Sequence, residues 1–255
     1  MENINNIDIY NQRMAAGMAD KLWWLRKIGD GIKVVVDYGC ADGTLLSLVH
    51  HDRPDLILIG IDNNPKMLDL ARENVPNAIF CSPEAFKEFR FDLSNAILIM
   101  SSVIHEIFAY DQDPIDTLTN LFEYKFGYIA IRDMFVSNHK PVEQVTKVES
   151  DAIRSIADPN QIKDFEAHYG WVDDNRQNLM HFLLKYKYVE NWKREVAENY
   201  FPITVERLLS RYVPIGYTIE HMDHYLLPFI HDQIKKDFGL DLDDKTHLKL
   251  LLKKA

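Results

Sequence analysis

Cysteine is nearly absent from this chain, whose 255 residues include only Cys40 and Cys81. A secreted protein of this size more often uses paired bridges, so the count points to a reducing, cytoplasmic setting and to two small buried residues. Long apolar runs are missing too. No stretch reaches the roughly 20 residues of a membrane span, and the opening MENINNIDIYNQRM has no charged segment followed by an apolar one, so neither a membrane partner nor a secretory leader is expected. Positive charge is in deficit: 29 Lys and Arg face 39 Asp and Glu, for a formal charge of −10. That field opposes polyanions and disfavours nucleic acid as a partner. There is no repeat and no low-complexity stretch. What is present is 47% apolar content, enough for the core of one α/β domain with an insertion.

The most informative stretch is Val34 to Leu46, VVVDYGCADGTLL. Three successive β-branched residues describe a strand covered on both faces. Gly39 can take positive φ and let a ligand approach the backbone, Gly43 allows close helix packing, and Asp42 or Thr44 suits a helix cap. A second apolar run, Leu56 to Ile61, ends at Asp62, close to the spacing that places a carboxylate on a ribose hydroxyl. An ordinary βα turn with a surface aspartate is the plainer alternative. A dinucleotide site would need G-x-G-x-x-G, whereas here Asp37, Gly39, Ala41 and Gly43 fall on alternate positions.

This pattern resembles the D/E-x-G-x-G-x-G turn of class I S-adenosylmethionine-dependent methyltransferases, with Ala41 in place of the middle glycine. The resemblance implies a Rossmann-like, doubly wound, seven-stranded, mostly parallel sheet with an antiparallel closing strand. It implies S-adenosyl-L-methionine as cofactor, with Asp37, Gly39, Cys40, Ala41 and Gly43 at its amino-acid end and Asp62 and Asn63 at its ribose and adenine. Ser82 and Pro83 follow the third strand, where the family usually has an aspartate. The fourth strand, Ala96 to Met100, leads into Ser101-Ser102-Val103-Ile104-His105-Glu106, the segment that borders methyl transfer in the family. A fifth, Tyr128 to Ile131, ends at Arg132-Asp133, and Tyr217 to Glu220 with His247 to Leu252 are expected as the closing pair.

Two segments flank this core. Residues 10–28 read as an amphipathic helix; the resemblance implies that such a helix closes over the cofactor, which would bring Tyr10 and Arg13 to the methionine carboxylate, while a surface salt bridge is the simpler role for Arg13. Residues 134–200 are too long for a structureless loop and carry helical patterning over Val142 to Ile156, Gln161 to His168, Asn178 to Tyr186 and Val189 to Asn199. Leaving the C-terminal end of the fifth strand, where ligands sit in open α/β sheets, this helical insertion is expected to be a lid over the acceptor or a homodimer interface. Its basic residues Lys185, Lys187, Lys193 and Arg194 read as a solvated face.

Methyl transfer needs an aligned, deprotonated acceptor. His105 is the candidate base, against a purely structural role in buttressing the following helix; Glu106 or Asp133 would orient it or hold a cationic substrate, and Arg132 would suit an anionic one. No metal site is expected: His221 and His224, three apart, read as a helix start or loop. The absence of N/D-P-P-Y/F after the fourth strand disfavours the usual nucleic-acid amine methyltransferases. A small-molecule acceptor modified on N or O is the leading expectation. A noncatalytic cofactor-binding scaffold, an RNA or protein methyltransferase and an NAD-linked dehydrogenase are the alternatives.

Overall fold

The computed structural model describes residues 17–255 apart from 19, 90, 91, 187 and 213–215. Seven strands form one sheet in the order β3-β2-β1-β4-β5-β7-β6. They are β1 Val34–Tyr38, β2 Ile57–Ile61, β3 Ile79–Cys81, β4 Ala96–Ser101, β5 Tyr128–Met134, β6 Tyr217–Tyr225 and β7 His247–Lys254. The first five pair in parallel, and β7 lies antiparallel to both β5 and β6. The expected Rossmann-like sheet and closing pair are therefore present. β5 runs on through Arg132 and Asp133, and β6 takes in His221 and His224, which sit in a strand and not at a helix start.

Alternation along the central strands builds two cores. Val36, Leu98, Met100, Ile129 and Ile131 face helices α3 Pro83–Lys87, α4 Ile104–Tyr110 and α5 Pro114–Glu123. Val35, Leu58, Ile97, Ile99 and Ala130 face α1 Thr44–Asp52 and α2 Pro65–Asn74. Burial on both faces is why these strands read as continuous apolar runs. Trp24 and Ile28 pack into the second core, but the amino-terminal helix does not continue to Ile28: from Leu22 to Lys27 the chain makes turns.

Beyond β5 the chain forms α6 Lys147–Ile156, α7 Pro159–Tyr169, α8 Arg176–Lys185 and α9 Trp192–Ala197, followed by α10 Val205–Tyr212. α6 starts later than its periodicity suggests because Thr146 caps it in a reciprocal box with Glu149. A third core joins these helices to α11 Pro228–Phe238, which lies between β6 and β7; Phe165, Leu179 and Phe182 meet Leu227, Ile234 and Phe238 there. The helical layer thus draws on two separate stretches of sequence.

Candidate active site

The strand order reverses between β1 and β4, and at the C-terminal ends of these strands lies a cavity of about 1080 Å³. That exceeds the roughly 300–1,000 Å³ of an ordinary small-ligand pocket, enough for a cofactor and an acceptor together. Its floor is the turn after β1. Gly39 has φ +81°, and a Cβ there would stand 2.6 Å from Val103 Cγ2, so only glycine fits. Its amide and that of Cys40 donate to the Ile61 carbonyl at 2.8 and 3.0 Å. Ala41 holds φ +46°, and its N–H donates to Asp62 Oδ2 at 2.9 Å, while the Asn64 N–H donates to Oδ1 at 2.8 Å. Two backbone donors thereby aim the Asp62 carboxylate, which lines the cavity with Asn63.

Gly43, Cys40 and Ser82 are set behind this wall. A Cβ on Gly43 would meet Ala71 at 3.2 Å, the close helix contact expected of it. Cys40 is buried among Leu45, Leu46 and Phe80, which raises its thiol pKa. Ser82 caps α3 by accepting from the Ala85 N–H, leaving Pro83 and Glu84 on the cavity surface. Asp42 accepts from the Thr44 N–H at 3.1 Å and from its hydroxyl at 2.7 Å.

Asp37 is buried at the end of β1, and burial pushes its carboxyl up to about 7 against the pull of the Lys21 ammonium. Lys21 itself lines the cavity; burial and the Arg132 charge lower its pKa, while Asp37, Asp133 and Glu106 raise it. The residue escaped the sequence reading because a lysine on an amphipathic helix ordinarily marks the wet face. Tyr10 and Arg13 lie outside the described residues. Arg132 reaches the cavity but is engaged: its Nε donates to Asp20 Oδ2 at 2.9 Å and its Nη1 to Ser102 Oγ at 2.9 Å. Tyr225 donates to the same Asp20 oxygen at 2.7 Å. Ser101 Oγ is buried with no hydrogen-bond partner among the described residues. An orphan hydroxyl at the strand end, an aimed carboxylate and a glycine-tight turn together suit a nucleoside cofactor.

On the far side stands His105, 6% exposed at the start of α4. Its Nδ1 lies 2.8 Å from Asp133 Oδ1, which also accepts from the Met134 N–H at 2.8 Å; Oδ2 accepts from the Ile104 N–H at 2.6 Å. Burial opposes protonation of His105, but the Asp133 charge and hydrogen bond, with Glu106 and Glu198, outweigh it and raise the pKa. For Asp133 burial is likewise outweighed, by His105 and the backbone donors, and its carboxyl is held below the usual range. The orienting partner is therefore Asp133. Glu106 points instead to the insertion, where its Oε1 accepts from Arg194 Nη2 at 2.8 Å.

The insertion roofs this half of the cavity with Leu184, Tyr188, Arg194, Glu195, Glu198 and Tyr200. Of the insertion's other aromatics, Phe182 is core and Trp171 is exposed. Glu198 Oε1 accepts from Tyr110 at 2.6 Å and from Arg194 Nε at 2.9 Å, tying the roof to α4. Lys185 is fully buried and its ammonium donates to the carbonyls of Glu195 and Glu198. Lys185 and Arg194 are thus internal, not a solvated face; Lys193 is exposed and Lys187 lies outside the described residues. Glu198 gave no sequence signal, being far from every strand end. Folding brings His105, Glu106 and Glu198 together, with one ligand-type atom from each within 4.8 Å of the others, a group no linear spacing announced.

A family model described as a methyltransferase domain matches residues 30–197. No curated protein matches the sequence. Among solved structures, the chain is similar to an S-adenosylmethionine-dependent methyltransferase from Mesorhizobium loti, at 16% identity over 93% of this chain and 100% of that one, TM-score 0.56. It is also similar to one from Archaeoglobus fulgidus, at 13% identity over 98% and 100%, TM-score 0.55. A third is the plantazolicin methyltransferase BamL in complex with a triazolic desmethylPZN analogue and S-adenosylhomocysteine, at 12% identity over 95% and 84%, TM-score 0.50. No helix among the described residues is long and apolar enough to cross a membrane.

Proposed function

Because the chain belongs to the methyltransferase-domain family and is a class I S-adenosylmethionine-dependent methyltransferase, we propose that it methylates a small acceptor on N or O beneath its helical insertion, with His105 as general base. The observation that carries this reading is the His105–Asp133 pair facing the same cavity as the Asp62 turn. When bound, S-adenosylmethionine supplies a sulfonium methyl group open to in-line attack. Asp62 would hold its ribose hydroxyls, Asp37 and Lys21 its zwitterionic end, and Ser101 Oγ a nearby polar atom.

The protein's own part is alignment and proton removal. Asp133 fixes the imidazole with hydrogen on Nδ1, because an ionised carboxylate only accepts; Nε2 is left as the proton acceptor on the cavity side. Leu184, Tyr188 and Tyr200 exclude water from above, which favours the lid role of the insertion over a dimer interface. Incubation with S-adenosylmethionine and pools of small amines and alcohols, followed by mass spectrometry, tests the reading. Stoichiometric S-adenosylhomocysteine and methylated product support it; cofactor binding without turnover on any pool would leave a scaffold role.

A further inference from the structure

The acceptor end of the cavity carries more hydrogen-bond acceptors than donors. Glu106 and Glu198 each give one oxygen to Arg194, and Tyr110 shares the Glu198 oxygen. Glu198 Oε2 instead faces His105 Nε2 at 4.0 Å, too far for a hydrogen bond. His105 Nε2 has no hydrogen-bond partner among the described residues, although its residue is 6% exposed and Glu198 is 2% exposed. Two carboxylates share one guanidinium, so the cluster keeps an unbalanced negative charge.

Distance and charge together narrow what would fill it. Two ligands about 2.1 Å from one dication stand about 3.4 Å apart in a tetrahedron and about 3.0 Å apart at cis-octahedral positions. Two acceptors about 2.9 Å from one tetrahedral nitrogen stand about 4.7 Å apart. The observed spacing of 4.0 Å falls between these values, and the single negative charge left on the cluster matches one ammonium and not a dication. A hydroxyl has a single hydrogen and would serve only one of the three acceptors. An ammonium has three hydrogens and one positive charge, which balances the cluster.

We propose that the methyl acceptor is a primary amine, bound as its ammonium by His105 Nε2, Glu106 and Glu198. This rests on the methyl-transfer reading and narrows it to N-methylation. One proton passes from the ammonium to His105 Nε2. The freed nitrogen lone pair forms the N–C bond as the donor's C–S bond breaks with its electron pair left on sulfur. The product is a secondary methylammonium, and the proton on His105 is released to solvent. The Tyr200 ring stands edge-on 5.4 Å from the His105 ring, and with Tyr188 and Phe229 in the same cavity wall it suits an amine carrying an apolar or aromatic group.

The test uses the full chain saturated with S-adenosylhomocysteine and titrated with benzylamine, benzyl alcohol and manganese(II), read by calorimetry and by the ¹⁵N resonances of the His105 ring. Benzylamine is expected to bind at least about tenfold more tightly than benzyl alcohol and to shift Nε2, and Glu106→Gln is expected to lose about tenfold in benzylamine affinity with S-adenosylhomocysteine affinity unchanged. Equal binding of amine and alcohol, no binding of either, an unaffected Glu106→Gln variant, or manganese broadening of His105 at lower concentration than the amine acts would overturn the amine assignment alone. Failure of S-adenosylhomocysteine to bind would overturn the methyl-transfer reading with it.

Discussion

Asp133 stands directly behind His105, its Oδ1 2.8 Å from the ring's Nδ1, and backbone N–H groups of Ile104 and Met134 anchor the carboxylate at 2.6 and 2.8 Å. Every donor around Asp133 favours the ionised form, so the imidazole is held in one tautomer with Nε2 toward the cavity. Asp133→Asn offers an amide that can present N–H to the ring and invert that tautomer. Turnover is expected to fall about 100-fold or more with little change in S-adenosylhomocysteine affinity, measured by steady-state rates and calorimetry. A proportionate loss of cofactor affinity would make Asp133 a general structural prop.

The pH profile follows from the same pair. His105 must be neutral to accept a proton, and its pKa is raised above 6.5: burial opposes this, while Asp133, Glu106 and Glu198 outweigh it. The charge on protonated His105 in turn helps lower the pKa values of His181 and His247, after burial as the main cause. Turnover is expected to rise with pH through an inflection above 6.5, and His105→Ala to fall about 100-fold and lose the inflection. Stability runs the other way. A raised folded-state pKa contributes stability that is full below 6.5 and lost as pH rises through the folded value, so urea unfolding should show wild type losing more than His105→Ala over that range.

At the other end of the cavity, Asp62→Ala removes the proposed ribose contact and releases the amides of Ala41 and Asn64. S-adenosylhomocysteine affinity is expected to drop by about 1.5–3 kcal/mol with an unchanged circular dichroism spectrum. Asp37, raised to about 7 by burial, should make the same affinity pH-dependent: a ligand ammonium prefers the carboxylate, so binding weakens as pH falls below about 7.

Gly39→Ala would hold an alanine at φ +81° with its Cβ 2.6 Å from Val103 Cγ2. The left-handed backbone costs about 1–2 kcal/mol and the overlap about 1–3 kcal/mol more, to be measured by urea unfolding.

Lys185 donates to the carbonyls of Glu195 and Glu198 and lies 3.5 Å from the centre of the Tyr200 ring. Burial pushes its pKa from 10.5 down to about 7, against Glu195 and Glu198. A lysine with a lowered folded-state pKa makes the protein gain stability as pH rises from about 7 toward 10.5. Lys185→Met should remove that gain, which denaturant titrations at both ends of the range would show.

The sheet was legible because its signals are local. Val34 to Val36, Leu56 to Ile61 and Ala96 to Met100 are apolar runs ended by turns, and alternation at Asp37, Gly39, Ala41 and Gly43 sets the bend between β1 and α1. His105 and Asp133 could be singled out because each lies at or just past the C-terminal end of a strand. Glu198, Lys185 and Lys21 were not. A charged residue in a helical stretch has the same sequence pattern whether it faces water or a carboxylate folded over from elsewhere, and α8 buries every residue from Asn178 to Lys185 against partners no local periodicity records.

The measurement closest to the central claim is a crystal structure with S-adenosylhomocysteine. The ribose hydroxyls are predicted on Asp62, with the sulfur turned toward His105 across the cavity beneath Tyr200. Density for the ligand away from the β1 turn, or a sulfur facing away from His105, would contradict the account.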